Sequence, residues 1–152
     1  MDRSVGRSLA QPPRSRTGRK VSLLLDTHYV FAIAGSPGRL TGTEINFLAA
    51  YPDRFVVSAV SIWEMRLKWE ALHASGDRKG PLDPARVLQI LAGQNIDFLP
   101  LSAAHAATPL WEPISHGDPF DEILLVQAQI EGLKLLTRDA RLRGHPLAAR
   151  PS

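Results

Sequence analysis

The sequence contains no cysteine, which excludes disulfide bonds, cysteine-ligated zinc, iron–sulfur clusters and thiol catalysis. It also lacks any run of the ~20 apolar residues that a transmembrane helix needs, and its first residues lack the apolar segment of a secretory signal. We therefore expect a cytoplasmic protein without a membrane anchor. Apolar residues make up 44% and charged residues 22% of the 152 residues, as is usual for one domain with a buried core.

Positive charge is concentrated at the start of the chain. Residues 1–20 hold six basic side chains and one acidic side chain, whereas the rest of the chain holds 12 basic and 14 acidic ones. This first segment is rich in Arg, Ser, Gly and Pro, so we expect a disordered basic tail over 1–20 and a folded domain over 21–148. Such a tail is either merely solvated or an arm that binds nucleic acid.

Short apolar runs alternate with helical patterns along the rest of the chain. The apolar runs predict four buried strands, at 21–26, 55–60, 96–101 and 133–139. The helical patterns lie at 41–50, 61–74, 84–92, 102–110 and 119–131. The end of the chain offers no convincing last strand after Asp139. This alternation predicts an α/β fold with a mainly parallel sheet.

Two acidic residues directly follow predicted strands. Asp26 ends the run LLLD, and Asp139 ends the run LLTRD. In an open parallel sheet, ligands bind beyond the carboxyl ends of the strands, where these two carboxylates are expected. Each also has a structural interpretation, because Asp26 could cap a following helix and Asp139 could begin a turn.

A third acidic group lies in the segment HGDPFDEILLVQAQIEG. Pro119 fits the first helical position, with Asp118 as the N-cap and Gly132 just past the end of the helix. Asp121 then follows Asp118 by one turn, so both carboxylates lie at the start of the helix. Capping alone would account for acids there, but Glu122 adds a third acid that a cap does not need.

The fourth acidic position is Glu64, in the segment SAVSIWEMRLKWE. Ser61 and Glu64 have the Ser-x-x-Glu spacing of a capping box. The neighbours of Glu64 are mostly large and apolar, and a carboxylate in such surroundings needs a partner. Lys68, four residues further on, is the expected local partner.

These four positions suggest one acidic pocket. Carboxylates that lie close together repel each other, and a divalent cation with a preference for oxygen ligands removes that conflict. Magnesium or manganese in such a site can activate water and stabilise displacement at phosphorus. The residues therefore point to metal-dependent hydrolysis of phosphodiesters.

The order LLLDTH, VSAVSIWEM, HGDPFDEILLVQAQ and LLTRD resembles PIN-domain ribonucleases, and among them the VapC-type toxins of bacterial toxin–antitoxin pairs. The resemblance implies a three-layer α/β/α sandwich and Mg²⁺- or Mn²⁺-dependent endoribonuclease activity. It also implies a homodimer that a cognate antitoxin protein inhibits. Relatives of this type usually carry arginines at the positions of Gly117 and Glu122, so two positive charges are absent beside the expected site.

The resemblance assigns roles by motif. It makes four acids both catalytic residues and metal ligands: Asp26, Glu64, Asp121 and Asp139. It adds accessory or outer residues around them: Asp118, Thr27, Thr137 and Arg138.

Several further residues have two interpretations each. His28, His105 and His116 could bind metal, but no two have the i, i+4 spacing that zinc sites favour, so structural roles are expected. Arg138, with Arg141 and Arg143, could bind RNA phosphates or simply be solvated. Trp63, Met65 and Trp69 are expected in the core or at a dimer contact rather than stacked on bases.

Two other functions deserve comparison with the nuclease. A signalling receiver domain needs a pair of acids beside the first strand, but the neighbours of Asp26 are Leu25 and Thr27. A PIN fold that is catalytically weak and acts only as a binding module remains an alternative, because of Gly117 and Glu122. Turnover of RNA with added metal distinguishes this alternative from the nuclease.

Overall fold

The computed structural model describes residues 21–35, 37–80 and 82–152. The predicted tail, residues 1–20, lies outside the described residues. The described residues form five strands: β1 (Leu23–Leu25), β2 (Phe55–Ser58), β3 (Ile96–Leu99), β4 (Lys134–Leu136) and β5 (Ala148–Ala149). The same part of the chain contains six α-helices: α1 (Thr27–Ala34), α2 (Gly42–Ala50), α3 (Ala59–Glu70), α4 (Pro84–Ala92), α5 (Ala103–Ala107) and α6 (Pro119–Glu131). It also contains 3₁₀ turns at Pro37–Arg39 and Ala140–Leu142.

The strands form one parallel sheet in the order β3-β2-β1-β4-β5. The central strand β1 is buried along its whole length and has a partner on each side: Leu24 lies opposite Val56 of β2 and Leu135 of β4. Parallel pairing brings the carboxyl ends of all five strands to one edge of the sheet. The residues that follow β1 and β4 therefore lie side by side.

Alternating side chains of the strands build a core on each face of the sheet. Leu23 and Leu25 of β1 pack with residues of α1, α3 and α4. Leu24, between them, packs on the opposite face with Leu124 and Leu125 of α6. The predicted three-layer α/β/α sandwich is therefore confirmed. In the described part of the chain, no helix has the length and apolar character needed to cross a bilayer.

The sequence patterns missed one helix and one strand. Helix α1 is buried on most sides, so its residues show no polar face and no clear helical period. The expectation that no strand follows Asp139 was wrong, because Ala148 and Ala149 pair with Leu135 and Leu136. Two alanines carry almost no strand signal, and only the neighbouring strand makes them one.

Candidate active site

All four predicted acids line one cleft of about 820 Å³ at the carboxyl edge of the sheet. Asp26 follows β1, Asp139 follows the end of β4 by three residues, Glu64 lies on α3, and Asp121 lies on α6. Three of the four predicted accessory residues, Asp118, Thr27 and Arg138, line the same cleft. Thr137 is fully buried and reaches the site through a hydrogen bond. The fold thus brings together residues that are far apart in the sequence.

Asp26 is fixed by hydrogen bonds to both of its carboxylate oxygens. Its Oδ1 accepts from the backbone N–H of Thr27 at 2.7 Å, which caps α1. Its Oδ2 accepts from the hydroxyl of Thr137 at 2.7 Å. Asp26 therefore has the capping role that its position allowed, and it lies in the cleft as well.

Glu64 is held by partners from two helices. Its Oε2 accepts from the Thr27 hydroxyl at 2.6 Å, and its Oε1 lies 3.0 Å from the Lys68 ammonium, as predicted. The predicted capping box of Ser61 and Glu64 was wrong, because α3 begins earlier and Ser58 is its N-cap. The hydroxyl of Ser58 accepts from a backbone N–H at the helix start, so the strand ends there rather than at residue 60. Ser61 is instead buried inside the helix.

Asp139 is linked to Asp26 through Thr137, which lies two residues before Asp139. The backbone N–H of Asp139 donates to the Thr137 hydroxyl at 3.1 Å, so this one threonine links two of the acids. The carboxylate of Asp139 accepts hydrogen bonds from the guanidinium of Arg141 at 2.8 to 3.2 Å, and it also caps the following 3₁₀ turn. A permanent positive charge therefore lies against this acid.

Asp121 lies at the third position of α6, with Asp118 as the N-cap and Pro119 as the first helical residue, as predicted. It is 7% exposed. Its buried Oδ2 has no hydrogen-bond partner among the described residues. Two basic groups lie near this oxygen, Nε2 of His116 at 3.4 Å and the guanidinium of Arg141 at 3.7 Å.

The acids alter each other's pKa values. Burial and, to a smaller extent, the negative charges of Asp26, Asp118 and Asp139 together raise the pKa of Asp121 to about 7. Burial also raises the pKa of Asp26, with a contribution from the charge of Glu64, although the hydrogen bond from Thr137 opposes this. The hydrogen bonds from Arg141 lower the pKa of Asp139. Without a cation, the site therefore favours a protonated Asp121.

The donor set of this cleft fits a hard divalent cation. His116, Asp121 and Asp139 each offer one ligand atom within 4.8 Å of the others. Asp121 contributes a buried carboxylate oxygen that has no hydrogen-bond partner in the described part of the chain, and a cation would satisfy it. Asp26 and Glu64 line the same cleft but are not part of this close group of three.

Basic side chains line the same cleft. Arg39, Lys68, Arg78 and Lys79 form what we call the cationic wall. Two of its residues belong to the loop between α3 and α4, which pairs with itself through the bridge between Leu72 and Arg78.

Gly80 fixes the position of this loop. A Cβ atom at Gly80 would lie 2.8 Å from the backbone nitrogen of Trp69, so only glycine permits the close contact with the end of α3. The Arg78 guanidinium lies over the Trp69 ring, 4.5 Å from its centre, and donates to the Trp69 carbonyl at 2.8 Å. The loop is therefore held against α3, and its basic residues are held against the cleft.

Arg138 lines the cleft, but its guanidinium is bound elsewhere. It donates to Glu44 of α2 at 2.6 Å and to the carbonyl of Arg39 at 3.1 Å. Burial raises the pKa of Glu44, but the hydrogen bond from the backbone N–H of Thr41 and the charge of Arg138 oppose it, and the pKa falls to about 2. Arg138 thus anchors α2 beside the site, which is a role that the sequence did not indicate.

Gly117 and Glu122 occupy the two positions where similar VapC-type toxins usually carry arginine. Both residues are exposed, and neither lines the cleft. No sequence pattern indicated Arg39, and the only signal for Arg78 and Lys79 is that two basic residues lie side by side between two predicted helices. Their place beside the acids depends on how the loop packs against α3, which no local pattern encodes.

Three comparisons with known proteins agree with this geometry. The family model described as PIN domain matches residues 23–146. Ribonuclease VapC22 of Mycobacterium tuberculosis (strain ATCC 25618 / H37Rv) is 30% identical over 125 residues, which is 82% of this chain and 92% of that protein.

The similar solved structures show the fold. A toxin–antitoxin complex from Klebsiella pneumoniae has a TM-score of 0.59 at 21% identity, covering 86% of this chain and 98% of that chain. DNA-bound VapBC from Salmonella typhimurium has a TM-score of 0.54 at 16% identity, covering 88% of this chain and 100% of that chain. The sheet order, the acidic cleft and the match over most of the described residues lead to one conclusion: the chain belongs to the PIN domain family.

Proposed function

We propose that this chain is a metal-dependent endoribonuclease that hydrolyses phosphodiester bonds of RNA and acts as the toxin of a toxin–antitoxin pair. The observation that carries the proposal is a single cleft that combines five carboxylates with a wall of basic side chains. Carboxylates suit a divalent cation, and basic residues suit the phosphates of a nucleic acid. The name of the relative, a ribonuclease, supports RNA as the substrate.

We assign the metal to Asp26, Glu64, Asp121 and Asp139, with Mg²⁺ or Mn²⁺ as the ion. A bound divalent cation supplies positive charge at the phosphate and lowers the pKa of water. In the hydrolysis, a water oxygen attacks phosphorus, the bond from phosphorus to one ribose oxygen breaks, and that oxygen takes up a proton.

The residues around the acids hold them in place. The hydroxyl of Thr27 orients Glu64, and its backbone N–H orients Asp26. The hydroxyl of Thr137 orients Asp26 from the other side. Because these donors are fixed by the fold, the carboxylates need little rearrangement to accept a cation.

The partners in this proposal are an antitoxin protein and a second copy of the chain, in the cytoplasm. The similar structure from Klebsiella pneumoniae, which is named as a toxin–antitoxin complex, supports the antitoxin. On α3, beside Glu64, the large apolar side chains of Trp63 and Leu67 are 47% and 39% exposed. A protein partner that covers this face would bury them.

The direct test of the activity is incubation of the purified chain with single-stranded RNA in Mn²⁺, in Mg²⁺ and in excess chelator. We expect cleavage of the RNA with either metal and none with chelator. Size analysis of the RNA fragments measures the cleavage. A chain that binds RNA and Mn²⁺ but yields no fragments would instead be the catalytically weak binding module.

The cationic wall gives a prediction about RNA affinity. Lys79→Ala removes one exposed positive charge from the cleft. We expect about fivefold weaker binding of single-stranded RNA at low salt, and a salt dependence reduced by roughly 0.7 in slope, since one phosphate contact is lost. Filter binding or fluorescence anisotropy over a range of salt concentrations measures both quantities.

Lys134→Ala is the matched control for this prediction. Lys134 is exposed and begins β4, at the opposite end of the strand from the site. The substitution Lys134→Ala makes the same change in charge as Lys79→Ala, and it should leave both the RNA affinity and the slope of its salt dependence unchanged. Equal effects of the two substitutions would show only a general charge effect and contradict the proposed wall.

A further inference from the structure

His116 lies among the acids of the cleft, but the mechanism above gives it no role. It belongs to the loop before α6, and its side chain is 12% exposed. Its Nε2 lies 3.4 Å from Oδ2 of Asp121, and a ring nitrogen is within 4.8 Å of a ligand oxygen of Asp139. Nε2 is buried and has no hydrogen-bond partner among the described residues.

The hydrogen bond to its other nitrogen fixes the tautomer of this ring. The backbone N–H of Asp118 donates to Nδ1 of His116 at 3.2 Å. Nδ1 must offer its lone pair to accept this bond, so a neutral ring carries its proton on Nε2. The buried nitrogen that points toward the acids is therefore an N–H donor.

Two other histidines of the chain use the same arrangement. In His105 and His145, a backbone N–H donates to Nδ1 at 3.0 Å and 3.1 Å. In each, Nε2 meets an oxygen acceptor: a carboxylate oxygen of Glu131 at 2.9 Å for His105, and the carbonyl of Glu112 at 2.8 Å for His145. The Nε2–H of His116 differs because the carboxylate oxygen beside it, Oδ2 of Asp121 at 3.4 Å, makes no hydrogen bond with it. Within the described residues, this donor is therefore held in place without a hydrogen bond.

Metal coordination through Nε2 conflicts with this hydrogen bond. A histidine ligand offers a lone pair to the metal and usually donates its other N–H to an oxygen. In His116, that other nitrogen faces the N–H of Asp118. Coordination would set two N–H groups against each other and leave the N–H of Asp118 without an acceptor.

We propose that His116 is a further catalytic residue, whose Nε2–H donates a hydrogen bond to a phosphate oxygen of the bound RNA rather than binding the metal. The inference rests on the proposed function, since the acceptor belongs to the substrate. Phosphate oxygens carry negative charge and only accept hydrogen bonds, which matches a buried donor without a partner. As charge on these oxygens increases in the transition state, the bond strengthens and lowers the barrier.

Two variants separate the roles of the two ring nitrogens. In His116→Asn, the amide oxygen can still accept from the N–H of Asp118, but nothing replaces the Nε2–H. In His116→Gln, the terminal NH₂ lies near the position of Nε2 and can still donate. We expect kcat for RNA cleavage to fall about 100-fold in His116→Asn and to recover by about tenfold in His116→Gln.

Metal affinity and ring chemistry give readouts that do not depend on activity. Titration of the RNA-free chain with Mn²⁺ by calorimetry should give the same dissociation constant within about twofold for the wild type and both variants. Nitrogen-15 spectra of the imidazole in the metal-free wild type should show the proton on Nε2. A Mn²⁺ affinity more than about tenfold weaker in both variants would instead make His116 a ligand and overturn the inference.

The failures of the two proposals can be told apart. A wild-type chain that leaves RNA intact in Mn²⁺ overturns the proposed function, and the role of His116 falls with it. A wild-type chain that cleaves RNA, with a His116→Asn variant that cleaves at the same kcat, overturns the role of His116 alone.

Discussion

Asp26→Asn is expected to lower the rate of RNA cleavage by on the order of 10²–10³-fold in excess Mn²⁺ while the chain stays folded. The substitution removes one negative charge from the proposed metal site. It leaves a side chain that can still accept from the N–H of Thr27, because asparagine caps helices about as well as aspartate. The measurements are kcat from initial rates and the melting temperature in chelator.

Asp83→Asn is the matched control for Asp26→Asn. Asp83 caps α4 through a 3.0 Å bond from Ala85, as Asp26 caps α1, but it does not line the cleft. The Asp83→Asn variant should cleave RNA at the wild-type rate. The double variant Asp26→Asn, Asp139→Asn should show no cleavage at all, and cleavage near the wild-type rate in that variant would exclude the assignment of both acids.

Asp121→Asn is expected to stabilise the metal-free chain and to abolish cleavage at the same time. Burial and the neighbouring acids raise the pKa of Asp121 from 3.8 to about 7. The folded chain therefore holds a proton that the unfolded chain has released, and the free energy of unfolding falls as pH rises from about 4 to about 7. Each pKa unit corresponds to about 1.4 kcal/mol, so the loss at pH 8 is at most about 4 kcal/mol.

The variant lacks this charge at every pH, so it should lose the part of the pH dependence that Asp121 causes. Urea denaturation in chelator at pH 5 and pH 8 should show Asp121→Asn more stable than the wild type at pH 8, with a smaller difference at pH 5. Glu122→Gln, an exposed acid next in the chain, serves as the control and should behave like the wild type. If Asp121→Asn is less stable than the wild type at pH 8, burial and the neighbouring acids do not make the charged form of Asp121 unfavourable.

Added Mn²⁺ should reverse the difference in stability between the wild type and Asp121→Asn. A cation that binds only the folded chain stabilises it by mass action, and here it also removes the repulsion between carboxylates. The melting temperature of the wild type should therefore rise with Mn²⁺, and that of Asp121→Asn should rise less. Equal shifts in both would mean that Asp121 does not share the ion.

The sequence was a good guide wherever position in the chain determines position in the fold. Asp26 and Asp139 follow parallel strands, so their meeting at one edge of the sheet follows from the order of the elements. Asp118 and Asp121 open a helix with strong start signals, and α6 begins where those signals predict. These local and topological rules were enough to predict the acidic cleft.

The sequence was a poor guide wherever a contact depends on packing between distant segments. The ion pair of Arg138 with Glu44 joins residues 94 positions apart, and no pattern connects them. Ser61 fits a capping box by spacing, but Ser58 caps the helix because the strand before it ends earlier. His116 looked like a candidate ligand, and only the bond from Asp118 to its Nδ1 reveals the tautomer.

The contact at Gly80 has a consequence for how this cleft can change without losing its function. The separation between the basic loop and the carboxylates depends on main-chain contact with Trp69, which the Arg78 side chain supports by stacking on the Trp69 ring. Lys79 can therefore be exchanged for another residue, and the substrate preference adjusted, while the proposed metal ligands keep their spacing. A methyl group at position 80 would instead push the whole loop outward and widen the gap that an RNA backbone has to bridge.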